Sequence, residues 1–359
     1  MTRDQGLAEL KSRIRTAIEA RAPLYIRGGG TKEFYGGDPV GEVLSTTGHA
    51  GIVDYEPNEL VLTARAGTPL GTLESALRGR NQMLAFEPPR FGSGATLGGA
   101  IASGLSGPRR PYAGAARDFI LGVRVIDGAG DELAFGGRVM KNVAGFDVSR
   151  LMTGALGTLG VITEVSLKCL PLPKSEMTVA FACAADEAVR KTNQWAGQPL
   201  PLSATCYHDG VLHVRLSGAT SAIDAARKTI GGDALTDDEA FWTSIRDQTQ
   251  PFFSAAAARG ATVWRLSVKA TAPYADLSGE QMIEWGGALR WLTAADGFDS
   301  ERVRTWAASH GGHATLYRSR DKSEGAFQPL SQTMHALHER LKTTFDPHGI
   351  FNRGRLYPL

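Results

Sequence analysis

Cysteine, net charge and long apolar runs are all scarce in this sequence, and each scarcity removes a class of protein. Cys169, Cys183 and Cys206 are the three cysteines among 359 residues, odd in number and far apart. They build no disulfide framework and no C-x-x-C, and by themselves they cannot ligate an iron–sulfur cluster. A reducing, cytoplasmic compartment is the expectation. The net charge of +2 gives no reason to expect nucleic acid or an acidic membrane surface as partner. No uninterrupted apolar run approaches the ~18 residues of a membrane span. The opening MTRDQGLAELKSRIRTAIEA reads as a charged amphipathic helix rather than a signal peptide. A Walker loop is missing, because no Gly-Lys-Ser/Thr occurs.

Glycine is what the chain has in quantity, with 43 residues and neither a collagen-like period nor a low-complexity run. The length exceeds what one core usually supports, so two domains are the prior. Glycine costs backbone entropy on folding, so a chain that concentrates it needs unusual φ values or very close backbone approach. The concentration falls in residues 88–162 and in a short loop upstream, Arg27-Gly28-Gly29-Gly30-Thr31-Lys32. An extended ligand lying against main chain supplies that need, and a dinucleotide is the reading adopted.

The elements around these stretches are legible. Leu7, Leu10, Ile14, Ala17 and Ile18 recur at helical spacing and end near Ala22-Pro23. Strands are expected at 24–26, 42–45, 51–55, 60–65, 120–126, 132–135 and 161–168, the 120–135 pair forming a hairpin around Asp127-Gly128. Thr68-Pro69 reads as a helix start, with Thr as cap and Pro at the first position. After Pro173 strands at 178–183, 204–207, 212–216, 262–268, 288–292 and 313–317 alternate with helices at 186–195, 221–230, 238–247 and 300–309. A last helix covers 329–346. The order predicts an α+β fold: a sheet-rich part over 1–172, a lid with one antiparallel sheet and helices on one face over 173–328, and a closing segment over 329–359.

A pyrophosphate is a compact double anion that backbone N–H groups in a concave nest neutralise. Gly28, Gly29 and Gly30 let successive N–H groups converge, Arg27 and Lys32 add charge, and Thr31 adds a hydroxyl. A plain structural turn is the competing reading. The second piece, Gly94-Ala95-Thr96-Leu97-Gly98-Gly99-Ala100, enters a small-residue helix that Thr96 caps. The lack of bulk at Gly98, Gly99, Ala102, Ser103 and Gly104 leaves room for a flat ring or ribityl chain. A Rossmann site needs G-x-G-x-x-G directly after a strand. Gly92-Ser93-Gly94 instead follows Pro88-Pro89-Arg90, with the next glycine at Gly98. A third piece, 154–162, is a tight turn into a strand.

RGGGT, GATLGGAIASGLSGPRRPYAGAARDFILGVRVIDGAGD, GGRVMKNVAGFDVSRLMTGALGTLGVITEV and the tail DPHGIFNRGRL occur in that order. Together they resemble the vanillyl-alcohol-oxidase (PCMH-type) FAD-binding family, and within it the glycolate oxidase FAD-binding subunits. The resemblance covers nearly the whole chain. It implies an FAD domain of two small α/β parts, a lid, and a C-terminal segment returning to the flavin. It implies FAD held by residues 27–32, Pro88, residues 94–104, Tyr112, Gly157, Gly160, Val161, Ile162, Asn352 and Arg355. It also implies a larger FAD-containing subunit and an iron–sulfur subunit as partners, through which the chain docks at the inner face of the cell membrane. Glycolate, or a similar 2-hydroxy acid, is the implied substrate; a non-catalytic assembly or electron-relay subunit and a stand-alone flavin oxidase of another small alcohol are the alternative readings.

Two departures from the family matter. Thr31 stands where covalent members carry a flavin-linking His, so non-covalent FAD is expected. The lid stretch Ser309-His310-Gly311-Gly312-His313 lacks the acidic residue of the metal-binding signature in larger relatives, so no metal is expected and independent substrate oxidation is in question. For a hydroxy acid, Arg265 is the candidate carboxylate anchor, because its fork binds both oxygens, and His313 the candidate base. An ion pair at the sheet surface and a hydrogen-bonded loop histidine are the alternative readings. Arg290 is a weaker candidate of the first kind. His335 and His338 lie three apart on the last helix, without a third ligand nearby.

Overall fold

The computed structural model describes residues 5–137, 147–294 and 299–358. Within the quoted motif GGRVMKNVAGFD, residues 138–146 lie outside the described part. The chain divides into two compact units: Met1–Leu105 with Ala115–Leu172 and Pro329–Leu359, and Ser106–Gly114 with Pro173–Gln328. Segment 106–114, read from sequence with the first part, thus groups with the second.

The first unit opens with the helix Gln5–Ala20, whose Leu10, Ile14 and Ala17 are buried. They meet Leu24, Leu44, Ile126, Val161, Ile350 and Phe351 in one core. Strand Leu24–Arg27 pairs in parallel with Glu42–Ser45. Its other edge takes the chain's last segment: Leu24 N–H donates to Ile350 O at 2.7 Å, and Asn352 N–H to Leu24 O at 3.0 Å. That pairing carries Asn352 to the exit of the strand, where the glycine turn begins. A second, five-stranded antiparallel sheet has the order Ile52–Glu56, Val61–Arg65, Val161–Lys168, Ile120–Ile126, Glu132–Gly136. The expected cap of the second helix is displaced by one residue. Pro69 is the N-cap of Leu70–Arg78 and makes no side-chain cap bond. Thr68 Oγ1 instead donates to Arg65 O at 2.7 Å and accepts from Gly51 N–H at 2.9 Å.

The second unit is built on an eight-stranded antiparallel sheet. Its central strands Thr262–Ser267, Leu289–Ala294, Glu280–Glu284 and Leu202–His208 are joined in register, Arg265 opposite Trp291 and Ser267 opposite His313. Strand alternation puts Trp264, Leu266, Leu292 and Leu316 on one face, where Val303 and Ala307 of the helix Ser300–Ser309 complete a core. Arg265, Trp291, Glu284 and His313 lie on the other. Helices pack on both faces, which departs from the one-sided lid expected. Pro251–Arg259 sets Phe253 against Trp291 at 5.1 Å, and Asp238–Arg246 sets Phe241 on His213 at 4.2 Å. Trp242, Phe252 and Phe253 are accordingly buried.

Candidate flavin site

The first glycine turn leaves strand Leu24–Arg27 with its amides bare. Among the described residues, the N–H groups of Gly28, Gly29, Gly30 and Thr31 meet no acceptor. Gly30 sits at φ +74, a conformation that costs a Cβ-bearing residue about 1 kcal/mol or more. A β-carbon on Gly29 would lie 1.5 Å from Gly94 O, and one on Gly28 would lie 2.3 Å from Thr96 Oγ1. The two glycine turns therefore touch backbone to backbone. Around them is a groove of about 510 Å³, lined by residues 25–33, Thr96, Gly99, Ala102, Ser103, Leu156, Asn352 and Arg355. Four unengaged donors on a concave wall, faced by the small residues Thr96, Gly99, Ala102 and Ser103, fit a pyrophosphate, as the nest argument requires.

Several expected contributors also have structural roles within the protein. The helix Leu97–Ser103 is capped by Thr96 as read, with Gly99 N–H donating to its hydroxyl at 3.3 Å. Its other first-turn amides are spent: Leu97 N–H donates to Thr68 O and Gly98 N–H to Ala66 O. The expected anion site at this helix end is thus replaced by protein partners. Gly98 is glycine because a β-carbon there would approach the Ala66 β-carbon to 2.7 Å. Gly104, at φ +63, ends the helix. Pro88 and Ala95 are buried and Gly94 is exposed, and none of the three lines the groove. Val161 and Ile162 bury their side chains in the strand core, and Gly160 fits closely beneath Ile126 O. Gly157, at φ +71, makes room for Asn352, whose Nδ2 would be 2.7 Å from a β-carbon there. Tyr112 belongs to the second unit and packs against the core around Val179 and Trp195.

The charges expected at the turn are partly committed. Arg27 Nε pairs with Glu33 Oε1 at 2.8 Å, and Tyr25 Oη donates to the same oxygen at 3.2 Å. Burial pushes the Tyr25 hydroxyl up to about 12, so it stays a donor. Lys32 stacks its ammonium 5.2 Å from the Phe91 ring centre. Buried Arg355 donates to the carbonyls of Glu33, Tyr35 and Gly37, and so orders the loop after the turn instead of presenting free charge. Asn352 bridges two segments: its Oδ1 accepts from Ile26 N–H at 2.7 Å and its Nδ2 donates to Leu156 O at 2.5 Å. A second space of about 1010 Å³ shares Asn352 and is walled by Arg117, Arg150, Thr153, His338 and Tyr357 among others. No motif announced it, because its walls come from distant segments.

In the second unit, the Arg265 side chain makes no ion pair or hydrogen bond among the described residues. Its guanidinium lies 5.1 Å from the Trp285 ring centre and 5.9 Å from that of Trp291. His313 is an exposed residue at the start of its strand. Crowding by protein atoms, then the Arg265 and Arg110 charges, lower its pKa below 6.5. Arg290 drops out as an anchor, because it is buried and donates to Gly287 O at 2.6 Å and Ala272 O at 2.7 Å. On the last helix, Gln332–Phe345, His335 faces Glu339 at 3.6 Å and His338 packs edge-on against Tyr357.

Residues 5–136 match the FAD binding domain family. Over 348 residues the chain is 46% identical to glycolate oxidase subunit GlcE of Escherichia coli K12, covering 97% of this chain and 96% of that protein. The chain belongs to the glycolate oxidase subunit GlcE family. It is 34% identical to glycolate oxidase subunit GlcD of Bacillus subtilis over 172 residues, 47% of this chain and 36% of that one. It is 32% identical to a D-lactate dehydrogenase of Anaerostipes hadrus over 139 residues, 39% and 29% of the two. A solved alkyldihydroxyacetonephosphate synthase superimposes with a TM-score of 0.66 at 14% identity, covering 96% of this chain and 75% of that one, which shows the PCMH-type fold. The cofactor is FAD, and the protein is an FAD-dependent oxidoreductase of the CH–OH class. No described helix is long and apolar enough to cross a membrane.

Proposed function

We propose that this chain is the FAD-binding subunit of a complex that oxidises glycolate, or a similar small 2-hydroxy acid, to the 2-oxo acid. Bound FAD supplies the acceptor for the hydride that leaves the alcohol carbon. The chain's own part begins with residues 28–31, whose main-chain amides hold the diphosphate, with Gly157, Gly160, Val161 and Ile162 beside the adenosine half. Arg265 receives the substrate carboxylate, and His313, neutral near pH 7, takes the hydroxyl proton. Electrons then pass to an iron–sulfur partner, with a larger flavoprotein subunit in the same assembly. The domains follow as an FAD domain, a lid and a closing C-terminal segment.

The observation that carries this reading is the row of unengaged amides at residues 28–31, lining one groove with the small residues Thr96, Gly99, Ala102 and Ser103. A second reading has its own support. The lid stretch Ser309-His310-Gly311-Gly312-His313 carries no carboxylate, and His310 Nδ1 is spent on Trp306 O at 2.8 Å. On that reading the chain relays electrons or stabilises the assembly, while a partner oxidises the acid. Anaerobic mixing of the purified, FAD-loaded chain with glycolate separates the two. Bleaching of the flavin by the chain alone supports the first, and bleaching only after the partner subunits are added supports the second. A purified chain that takes up no FAD overturns both.

A further inference from the structure

Two guanidinium groups gather round one indole in the second unit. Arg110, from the segment Ser106–Gly114, lies 4.4 Å from the Trp285 ring centre, and Arg265 lies 5.1 Å from it. Trp285 is held for this arrangement. Its backbone adopts φ +56, which is strained for a bulky residue, and its Nε1–H donates to Gly107 O at 3.1 Å, tying the indole to the segment that carries Arg110. His313 stands diagonally across the strand pair from Arg265, two residues from the partner Thr315. Glu284, the acid on the same face, is buried and accepts from Trp291 Nε1–H at 2.7 Å.

Positive charge packed on an aromatic face is stabilised by the ring quadrupole. Like charges placed together nevertheless repel, and an arrangement that keeps them together gains most when an anion joins it. We propose that Arg110 is a second substrate-binding residue, which with Arg265 holds the carboxylate of a small organic acid beside Trp285, His313 facing its hydroxyl. The inference rests on the reading that the second unit receives the hydroxy acid, and it adds a residue from a segment remote in sequence from the strand that supplies Arg265.

The test uses oxalate, a redox-inert small carboxylate, titrated into the FAD-loaded chain and followed by calorimetry and tryptophan fluorescence. Saturable binding is expected. Arg110→Gln and Arg265→Gln should each weaken it at least tenfold, Arg110→Lys should keep part of it, and Arg246→Gln, whose arginine is paired with Asp247, should leave it unchanged. Trp285→Phe should abolish the fluorescence change while calorimetry still detects binding. Flavin content, read separately, reports whether each variant is folded. If Arg110→Gln fails to load FAD, Arg110→Lys decides, since a point ammonium cannot reproduce the bidentate fork. Unaltered oxalate affinity in the Arg110 variants overturns the proposal. A yellow wild-type chain that ignores oxalate overturns it too, while leaving the flavoprotein assignment intact; a colourless one overturns that assignment instead.

Discussion

Gly29 and Gly94 are 65 positions apart in sequence, yet a β-carbon on the first would lie 1.5 Å from the carbonyl oxygen of the second. The contact is backbone against backbone, so no side chain can rotate away to relieve it. Gly29→Ala must push the two turns apart and scatter the amides of residues 28–31. The expected result is a chain that loses bound flavin, read as the ratio of flavin to protein absorbance after gel filtration. Gly154→Ala is the control: its φ is positive, +84, but a β-carbon there meets nothing within 4 Å. It should cost about 1 kcal/mol of stability and keep its flavin.

Asn352 binds one backbone group on each of two segments, Ile26 N–H and Leu156 O. Asn352→Ala strands both in a buried site, at about 1 to 3 kcal/mol for each group left without a partner. We expect a clear drop in the thermal midpoint together with weaker flavin retention. An unchanged midpoint would show that water replaces the amide and that the bridge is dispensable.

Lys342 is buried, and its ammonium donates to Thr158 O, Phe351 O and Asp346 Oδ2 at 2.8, 2.8 and 2.6 Å. Asp346 in turn accepts from the amides of Ile350 and Phe351. Lys342→Met removes one partner of a buried pair, a change that typically costs about 3 to 5 kcal/mol. The urea midpoint should fall accordingly. The C-terminal segment should also become sensitive to protease, since this lysine holds it to the turn at Thr158.

Acid should act on the second unit through Glu176, paired with Arg109 at 2.6 Å. Burial alone raises its pKa, but the Arg109 and Arg215 charges, with hydrogen bonds from Arg109 and Ser217, outweigh that and hold it below 4.5. The folded value is therefore the lower one. Its contribution is full above about pH 4.5 and fades as pH falls through the folded pKa. Glu176→Gln should flatten the fall in stability below about pH 4.5, and it should do so modestly because the carboxylate is partly solvated. Identical acid limbs for the two proteins would remove Glu176 from the account.

Thr31 offers no nucleophile of the kind that links flavin covalently. Denaturing the yellow protein with acid or heat and spinning out the precipitate should therefore leave FAD in the supernatant. Flavin that stays with the pellet through washing in denaturant would refute this.

Regular alternation and turn chemistry made most elements legible: Val161–Lys168 and Ser300–Ser309 have the bounds that their patterns imply. The helix Pro251–Arg259 and the strand Glu280–Glu284 escaped notice. The first is dominated by an alanine run, which gives no helical apolar–polar periodicity, and the second is a five-residue strand buried at four positions, too short for alternation to register. At the flavin turn the glycines were visible as glycines, but their separate reasons were not. Gly98 yields to Ala66, Gly157 to Asn352 and Gly104 to a helix end, whereas the amides of residues 28–31 remain available.

Local sequence was enough to establish that two glycine turns exist, that one enters a capped helix, and that strands flank them. These follow from φ preferences and side-chain periodicity within a few residues. Which amides stay unengaged was decided only in three dimensions, because it depends on what 66, 68, 94 and 352 place beside them. The same holds for Arg110 and Arg265, which meet at Trp285 only because distant strands and a short detour of chain pack together. A hydrogen-bond donor is available or spent according to its neighbours in space, and chain order does not encode those neighbours one residue at a time.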